Sequence, residues 1–435
     1  MSKAQTFMEQ HFQLSKNNTN IKTEILAGVT TFATMSYVLA TIPNMLEQAG
    51  LVRSAVLTML ICAIVVCSVA MAVYTNRPFC LAPGMSSVAI ISSIDTIGMP
   101  LETAFGLIFI EGVIFVIISF AGLRTIIAKA IPASIKISLS GGIGLYIALI
   151  GLKSGGIIVS SESNTLIFGD LHTKKALMFG IGFLLVLIFE ARQIKGSMIL
   201  SIIAVTLIGI PLGVTQLPQE FFNLPGGVGD VSFRIDILGA LRPEYFPWLL
   251  TFFVPDFFGT MGIILGVANQ AGWLDKNGDM PGIEKCFKVD SLSTVGGSLF
   301  CMPVMTTYLE SASGVEDGGR TGLTSITTSI LFALMLLFTP LALMVPGVAT
   351  GPVLTIIGFQ MLSSMRSIDY EDKTECLPAF IAVAMVILTN NIANGMALSI
   401  VSYLVLKLAA GKAKEIPVPM YVVGVCMLFY LYTLI

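Results

Sequence analysis

The chain has 435 residues, 55% of them hydrophobic and only 11% charged, with a mean hydropathy of +0.88. Soluble domains carry roughly 25% charged residues, so a soluble fold is excluded. A net charge of -2 spread through short loops offers no basic face for nucleic acid and no polybasic tail for anionic lipid.

Residues 1–21 are polar and carry Lys3, Glu9, His11 and Lys16, without the charged-then-apolar order of a secretory signal. They are expected to form a cytoplasmic segment. Apolar runs long enough to cross about 30 Å at about 1.5 Å per residue follow near 24–43, 54–75, 102–121, 133–152, 174–191 and 196–214. A second series lies near 247–268, 284–301, 323–345, 376–394, 395–410 and 416–434. Its last three runs hold at least two spans whose division the pattern leaves open. Stretches rich in Gly, Pro and Ser at 79–93, 303–315 and 346–365 are too broken for ordinary spans and too apolar for loops. Counted as crossings, they bring the total to about fourteen. Roughly 15 of the 24 Lys/Arg then share the amino-terminal side, including Arg124, Lys129, Arg192, Lys195, Lys276, Lys285, Lys288 and Arg320. This bias predicts a multi-pass inner (cell) membrane protein with both termini in the cytoplasm. The seven cysteines sit singly, nearly all in apolar runs, and read as small core hydrophobes; no cofactor or metal motif is present.

Three short matches recur in order. Phe32-Ala33-Thr34-Met35-Ser36 resembles Phe258-Gly259-Thr260-Met261-Gly262, and Gln48-Ala49-Gly50 recurs at Gln270-Ala271-Gly272. Pro83-Gly84-Met85-Ser86-Ser87 is echoed by Pro303-Val304-Met305-Thr306-Thr307. Two halves with an odd number of spans insert in opposite directions, which predicts an inverted repeat about an axis in the membrane plane. Each proline pushes its preceding residue toward extended geometry. Phe79-Cys80-Leu81-Ala82-Pro83 therefore reads as an extended piece feeding a half-helix, with Phe300-Cys301-Met302-Pro303 as its partner. Such pieces are expected to pair and to turn both half-helix amino ends toward one cavity.

Glu310 lies inside the second broken segment and is a candidate for ligand or coupling proton, because an ionisable group at membrane depth is functional by default. The competing reading is a capping box, Thr307-x-x-Glu310. Asp256 follows Pro255 in the seventh long run and is either a second ligand or proton acid, or a helix N-cap near the interface. Glu111 reads as a structural interhelix hydrogen-bonding group. Gly314 to Gly322 lacks the Lys-Ser/Thr ending of a phosphate loop and reads as a tight turn capped by Arg320. No nucleophile-base pair lies within the spans, so an enzyme is not expected.

Several stretches resemble the nucleobase cation symporter type 2 family, in particular its hypoxanthine/guanine/adenine permease branch. They are Thr31-Phe32-x-Thr34-Met35-x-Tyr37-Val38-Leu39 with Pro43-Asn44, Leu81-Ala82-Pro83-Gly84-Met85, Gly141 through Lys153, Thr306-Thr307-Tyr308-x-Glu310-Ser311-x-x-Gly314 and Gly318-Gly319-Arg320-Thr321-Gly322-Leu323-Thr324. The resemblance implies an all-α integral membrane protein of fourteen segments in two inverted sevens, with short strands in broken segments 3 and 10. It implies a core domain (22–126 and 246–345) and a gate domain (127–245 and 346–435), proton-coupled uptake of a purine base, and often a homodimer. Glu310 matches the segment 10 acid that holds the base in the family. Where the branch reads D-x-F-D-T-x-G-T, this chain has Asp256-Phe257-Phe258-Gly259-Thr260-Met261-Gly262-Ile263, so the second acid is Gly259. The usual Gly-Leu-Asn-Ala-Tyr is Ser86-Ser87-Val88-Ala89-Ile90, and Ala-Asp-Gly is Ala393-Asn394-Gly395. Candidate substrate-binding residues are Glu310, Asp256, Gly259, Ser86, Ser87, Thr307, Thr34 and Met85, with Glu310 and Asp256 as proton-coupling candidates. Expected partners are a small-molecule substrate, protons and membrane lipid. The alternative cargo is another small heterocycle or organic anion.

Overall fold

A chain surrounded by lipid must satisfy its own backbone N–H and C=O groups, so helix dominates. The computed structural model describes residues 9, 11–94, 98–122, 132–160, 166–218, 222, 229, 233–275, 280–389 and 391–433. Lys3, Arg124, Lys129 and Lys276, used above, lie outside the described residues. The first half comprises α1 (Ile21–Met35), α2 (Val38–Glu47), α3 (Arg53–Thr75), β1 (Leu81–Pro83), α4 (Met85–Ser92), α5 (Leu101–Phe120) and α6 (Ala133–Ser154). A hairpin of β2 (Ile158–Ser160) and β3 (Leu166–Phe168) leads to α7 (Lys174–Ala191), α8 (Ser197–Gly209) and the short α9 (Ile237–Ala240). The second half comprises α10 (Phe246–Gln270), α11 (Ile283–Ser298), β4 (Met305–Thr307), α12 (Ser311–Glu316), α13 (Gly322–Leu334), α14 (Thr339–Leu343) and α15 (Gly347–Leu362). It closes with α16 (Lys373–Leu388), α17 (Ile392–Ala409) and α18 (Val418–Thr433). Among the described residues, eight helical stretches are long and apolar enough to cross a membrane.

The helices pack in two groups. In one, α13 lies on α1 and α3, α11 on α3 and α5, and α10 on α5. In the other, α6 and α15 form the central pair, with α7 on α15 and α16 on α6. Glycines let that pair touch backbone to backbone: a Cβ on Gly144 would stand 2.6 Å from the Gly358 carbonyl oxygen, and one on Gly351 would stand 2.7 Å from that of Gly151. The two contacts exchange under one two-fold relation, since 351 − 144 and 358 − 151 both give 207.

The strands carry the same symmetry and correct the sequence reading. β1 pairs antiparallel with β4, Leu81 opposite Thr307 and Pro83 opposite Met305. The partner strand therefore follows Pro303 instead of ending on it. Gly84 N–H donates to Val304 O at 2.8 Å and Tyr308 N–H to Cys80 O at 2.9 Å, so 308 − 84 and 304 − 80 both give 224. By this relation Ser86 corresponds to Glu310. The recurring Pro-x-Met motif, at an offset of 303 − 83 = 220, is out of structural register.

The region left undivided by the sequence, 376–434, holds α16, α17 and α18. Ser399 OH donates to Pro378 O at 2.9 Å and Tyr430 OH to Asn394 Oδ1 at 2.8 Å, so the three run antiparallel in turn. The turn end is tied by Lys407, 2% exposed, whose Nζ lies 2.7 Å from Glu375 Oε1 and from Glu415 Oε2. Helices α7 and α8 lie on α15 as α16 and α17 lie on α6, which leaves α18 without a counterpart among the described residues. Its outer face, including Val418, Val422, Val425 and Tyr432, is exposed, as expected for a surface covered by lipid.

The glycine contact makes a direct prediction. Gly144→Leu must push two backbones apart and should lower stability by about 1–3 kcal/mol or more. A Cβ on Gly180 of α7 meets nothing within 4 Å, so Gly180→Ala should stay within about 0.5 kcal/mol. Thermal unfolding in detergent checks both; equal effects would contradict the close crossing.

Candidate functional site

Extended backbone inside a membrane leaves ladder groups that side chains must satisfy. Here Leu81 N–H donates to Ser68 Oγ at 2.9 Å, Cys80 N–H to Ser311 Oγ at 3.1 Å, and Thr294 OH to Met305 O at 2.9 Å. Tyr308 OH donates to Pro83 O at 2.5 Å. With β4 so fixed, Glu310 falls at the N-cap position of α12, but it makes no side-chain capping bond. The capping-box reading is therefore corrected. Glu310 Oε1 instead accepts the Tyr37 hydroxyl at 2.8 Å, from the break between α1 and α2. Tyr37 is 3% exposed and holds the carboxylate at a set angle.

Glu310 lines a cavity of about 280 Å3 between the two helix groups. Thr34, Leu309, Ala312 and Ser313 contribute from one group; Glu190, Gln193, Lys195, Ser197 and Gln360 contribute from the other. Thr34 OH is turned back to the Thr30 and Thr31 carbonyls at 3.1 Å. The turn after α7 closes the cavity: Gly196 adopts φ 75°, and a Cβ there would stand 3.3 Å from Ala33 O. Lys195 on this turn forms an ion pair with Asp317, which also accepts the Thr30 hydroxyl at 2.5 Å. Partial burial acts to raise the Asp317 pKa, but Lys195 and Thr30 outweigh it and hold the carboxyl below its ordinary value.

The other predicted residues distribute differently. Ser87 is buried and its hydroxyl donates to Gly84 O at 2.8 Å. Met85 is buried at the start of α4, and Ser86 beside it is half-buried. Thr307 is wholly buried and donates to Asp290 Oδ1 at 3.2 Å, away from the cavity. A Cβ on Gly259 would meet nothing within 4 Å, so the position of the missing acid is open space. Asp256 lies well inside α10, so the N-cap reading is corrected. It is 4% exposed and faces Glu111 instead of the cavity. Glu111, expected to make an interhelix hydrogen bond, has both carboxyl oxygens buried without a donor among the described residues.

The glycine-rich segment is a turn as expected. Gly318 has φ 95°, and Arg320 Nη1 donates to Val315 O at 2.7 Å and Gly319 O at 2.8 Å. Its amides serve a group the sequence reading did not single out: Glu24, wholly buried, accepts from Arg320 N–H at 2.8 Å, Thr321 N–H at 3.3 Å and Thr324 OH at 2.6 Å. A larger cavity of about 720 Å3 lies around Arg53, Thr58, Gln216 and Thr339. Among the described residues no carboxyl group lines it, and Arg53 donates to Val345 O at 3.0 Å.

Comparison with known proteins fits this arrangement. A family model described as a permease family, that of the xanthine/uracil permeases, matches residues 22–398. A putative permease of Methanocaldococcus jannaschii is 40% identical, over 96% of this chain and 97% of its own. The guanine/hypoxanthine permease PbuO of Bacillus subtilis is 35% identical, over 96% of this chain and 98% of its own. The adenine permease AdeQ of Escherichia coli is 32% identical, over 95% of this chain and 93% of its own. Among solved structures, the transmembrane domain of the cyanobacterial bicarbonate transporter BicA superposes with a TM-score of 0.62 at 14% identity, covering 87% of this chain and 97% of that one. The overall structure of SLC26A9 gives 0.63 at 12% identity, covering 90% and 66%. These last two share the two-domain inverted-repeat fold. The chain is therefore a multi-pass membrane transporter and not an enzyme, and it belongs to the xanthine/uracil permease family.

Proposed function

We propose that this permease takes up a purine nucleobase together with protons, and that Glu310 holds the base. The observation that carries the reading is a carboxylate in a cavity between two helix groups, with one oxygen bonded to Tyr37 and, among the described residues, no hydrogen bond to the opposite group. A carboxylate accepts one or two ring N–H donors of a heteroaromatic base. Thr34 and Ser313 flank it from the same group, and Gln193 and Gln360 offer amides from the other. Relatives named as guanine/hypoxanthine and adenine permeases support the cargo class.

In this reading the α1–α5 and α10–α14 group is the core and carries the base past the α6–α8 and α15–α18 gate. The domain limits proposed are 22–126 with 246–345, and 127–245 with 346–435. Lys195 and Asp317 then bridge gate and core on the cytoplasmic side of the cavity, the side of the amino terminus. Because α18 returns along α17, it carries residue 433 away from the Lys407 end. The protein works as a homodimer embedded in lipid. A second cargo, a larger or less polar heterocycle or an organic anion, is favoured by one observation, the open space at Gly259.

Uptake of labelled hypoxanthine, guanine and adenine in cells lacking nucleobase transport tests the reading. At least one base should accumulate, and Glu310→Gln should weaken its binding about tenfold to a hundredfold, the loss of one charged hydrogen bond. No accumulation of any base with the protein at the cell surface would defeat the proposal. Thermal-shift screening separates the cargoes, since only a base should stabilise wild type and fail to stabilise Glu310→Gln.

Asp317 supplies a pH test. Its folded-state pKa lies below its unfolded value, so it stabilises the fold above about pH 3.9 and loses this contribution as pH falls through the folded value. The melting-temperature gap between wild type and Asp317→Asn should therefore persist at neutral pH and narrow in acid. A gap that widens in acid would contradict the assignment.

A further inference from the structure

Three carboxyls meet inside the core, away from the cavity. Glu111 comes from the middle of α5, Asp256 from α10 next to Pro255, and Asp290 from α11. Glu111 and Asp290 are wholly buried and Asp256 is 4% exposed. Aromatic rings within one helical turn of each acid form a single cluster: Phe115 lies 5.3 Å from Phe257 and 5.8 Å from Phe287, and Phe253 lies 5.4 Å from Phe257. These rings wall the acids with apolar surface. Helices α5 and α11 touch closely there, because a Cβ on Gly112 would stand 3.0 Å from Val295 N.

The three acids are not equivalent. Asp290 accepts the Thr260 hydroxyl at 2.9 Å and the Thr307 hydroxyl at 3.2 Å. Glu111 and Asp256 face each other, and all four of their oxygens are buried without a donor among the described residues. Asp290, also an acid, adjoins both. Of the cations on neighbouring elements, Lys136 of α6 lies 4.2 Å over the Phe258 ring and Lys288 of α11 lies 4.9 Å over Phe120. From the short α9, Asp236 caps Gly239 N–H at 2.8 Å. Glu310 on the α12 side is held by Tyr37, and Cys67 of α3 and Cys286 of α11 adjoin Asp290. Among the described residues, no group of acids is arranged to hold a metal ion.

Two facing carboxylates in a dry site repel and lack donors, whereas one proton between them gives each oxygen pair a partner. We propose that Glu111 and Asp256 share a proton and form the coupling site of this permease. The pair rests with one proton and takes a second with the base. One carboxyl O–H bond forms as a hydronium ion on the entry side gives up its proton. That O–H bond breaks to water on the exit side, so no other bond changes. Thr306 is the partly exposed hydroxyl beside the pair: it is half-buried on β4, its hydroxyl lies 2.7 Å from that of Thr260, and it adjoins Asp256. Glu310 then holds the base while the pair holds the proton, a division of labour that rests on the base-transport reading above.

The test uses full-length protein in liposomes with two assays. Counterflow exchange of base needs no net proton movement; accumulation driven by an imposed pH gradient does. Wild type should perform both. Glu111→Gln should keep counterflow and lose gradient-driven accumulation at least about tenfold. Gradient-driven accumulation retained by Glu111→Gln overturns the proposal. Equal loss of both activities in a folded Glu111→Gln protein, judged by its melting temperature, assigns a structural role and also overturns it. Should that variant not fold, infrared difference spectra of wild type decide: a protonated-carboxyl C=O band must be present at neutral pH, and its absence overturns the pair. If wild type itself exchanges no base, the base-transport reading fails, while the infrared measurement still judges the shared proton.

Discussion

Six residues of extended backbone deep in the protein govern this structure. Strands β1 and β4 bond to each other, and their outer groups must find partners where water and lipid supply none. Ser68, Ser311, Thr294 and Tyr308 provide them. That requirement explains why hydroxyl side chains crowd an otherwise apolar region. It also fixes Glu310, because the residue three positions past β4 has its backbone set by the strand pair and its carboxylate set by Tyr37.

The two helix groups meet around this point and are held together internally by different contacts. In the α6–α8 and α15–α18 group, the proposed gate, glycines on α6 and α15 let backbones touch, which favours a rigid body. In the other group, buried carboxyls tie helices together: Glu24 caps the start of α13, and Asp290 collects two threonine hydroxyls. Buried polar groups that are satisfied specify one arrangement, and those left unsatisfied mark where a ligand or proton belongs. Glu111 and Asp256 are of the second kind.

Much of the fold was legible in the sequence. Apolar runs gave the helices, and Leu81-Ala82-Pro83 was read as extended because proline restricts its neighbour. The inverted repeat was also legible, but from a motif in the wrong register: Pro83 and Pro303 look alike, while hydrogen bonding equates Gly84 with Tyr308. Register depends on ladder geometry, and side-chain identity carries little of it. Within the site, Glu310 stood out as an acid in an apolar stretch, and Thr34 joined it in the cavity. Tyr37 carries no such signal, because its partner is 273 residues away in sequence. Spacing on α10 could not tell that Asp256 turns to Glu111 on another helix. Ser87 and Thr307 were placed on the right segments, but their hydroxyls serve the backbone and Asp290. The strand after Pro303 was mislocated for the same reason as the repeat.

In the proposed transport reading, the base sits against Glu310 between the two helix groups. The most direct measurement is an electron-microscopy structure of the purified protein with hypoxanthine, guanine or adenine bound. A planar density is expected within hydrogen-bonding distance of the Glu310 carboxylate, bordered by Thr34 and Gln360. Density in the cavity at Arg53, with the Glu310 site empty, would contradict it.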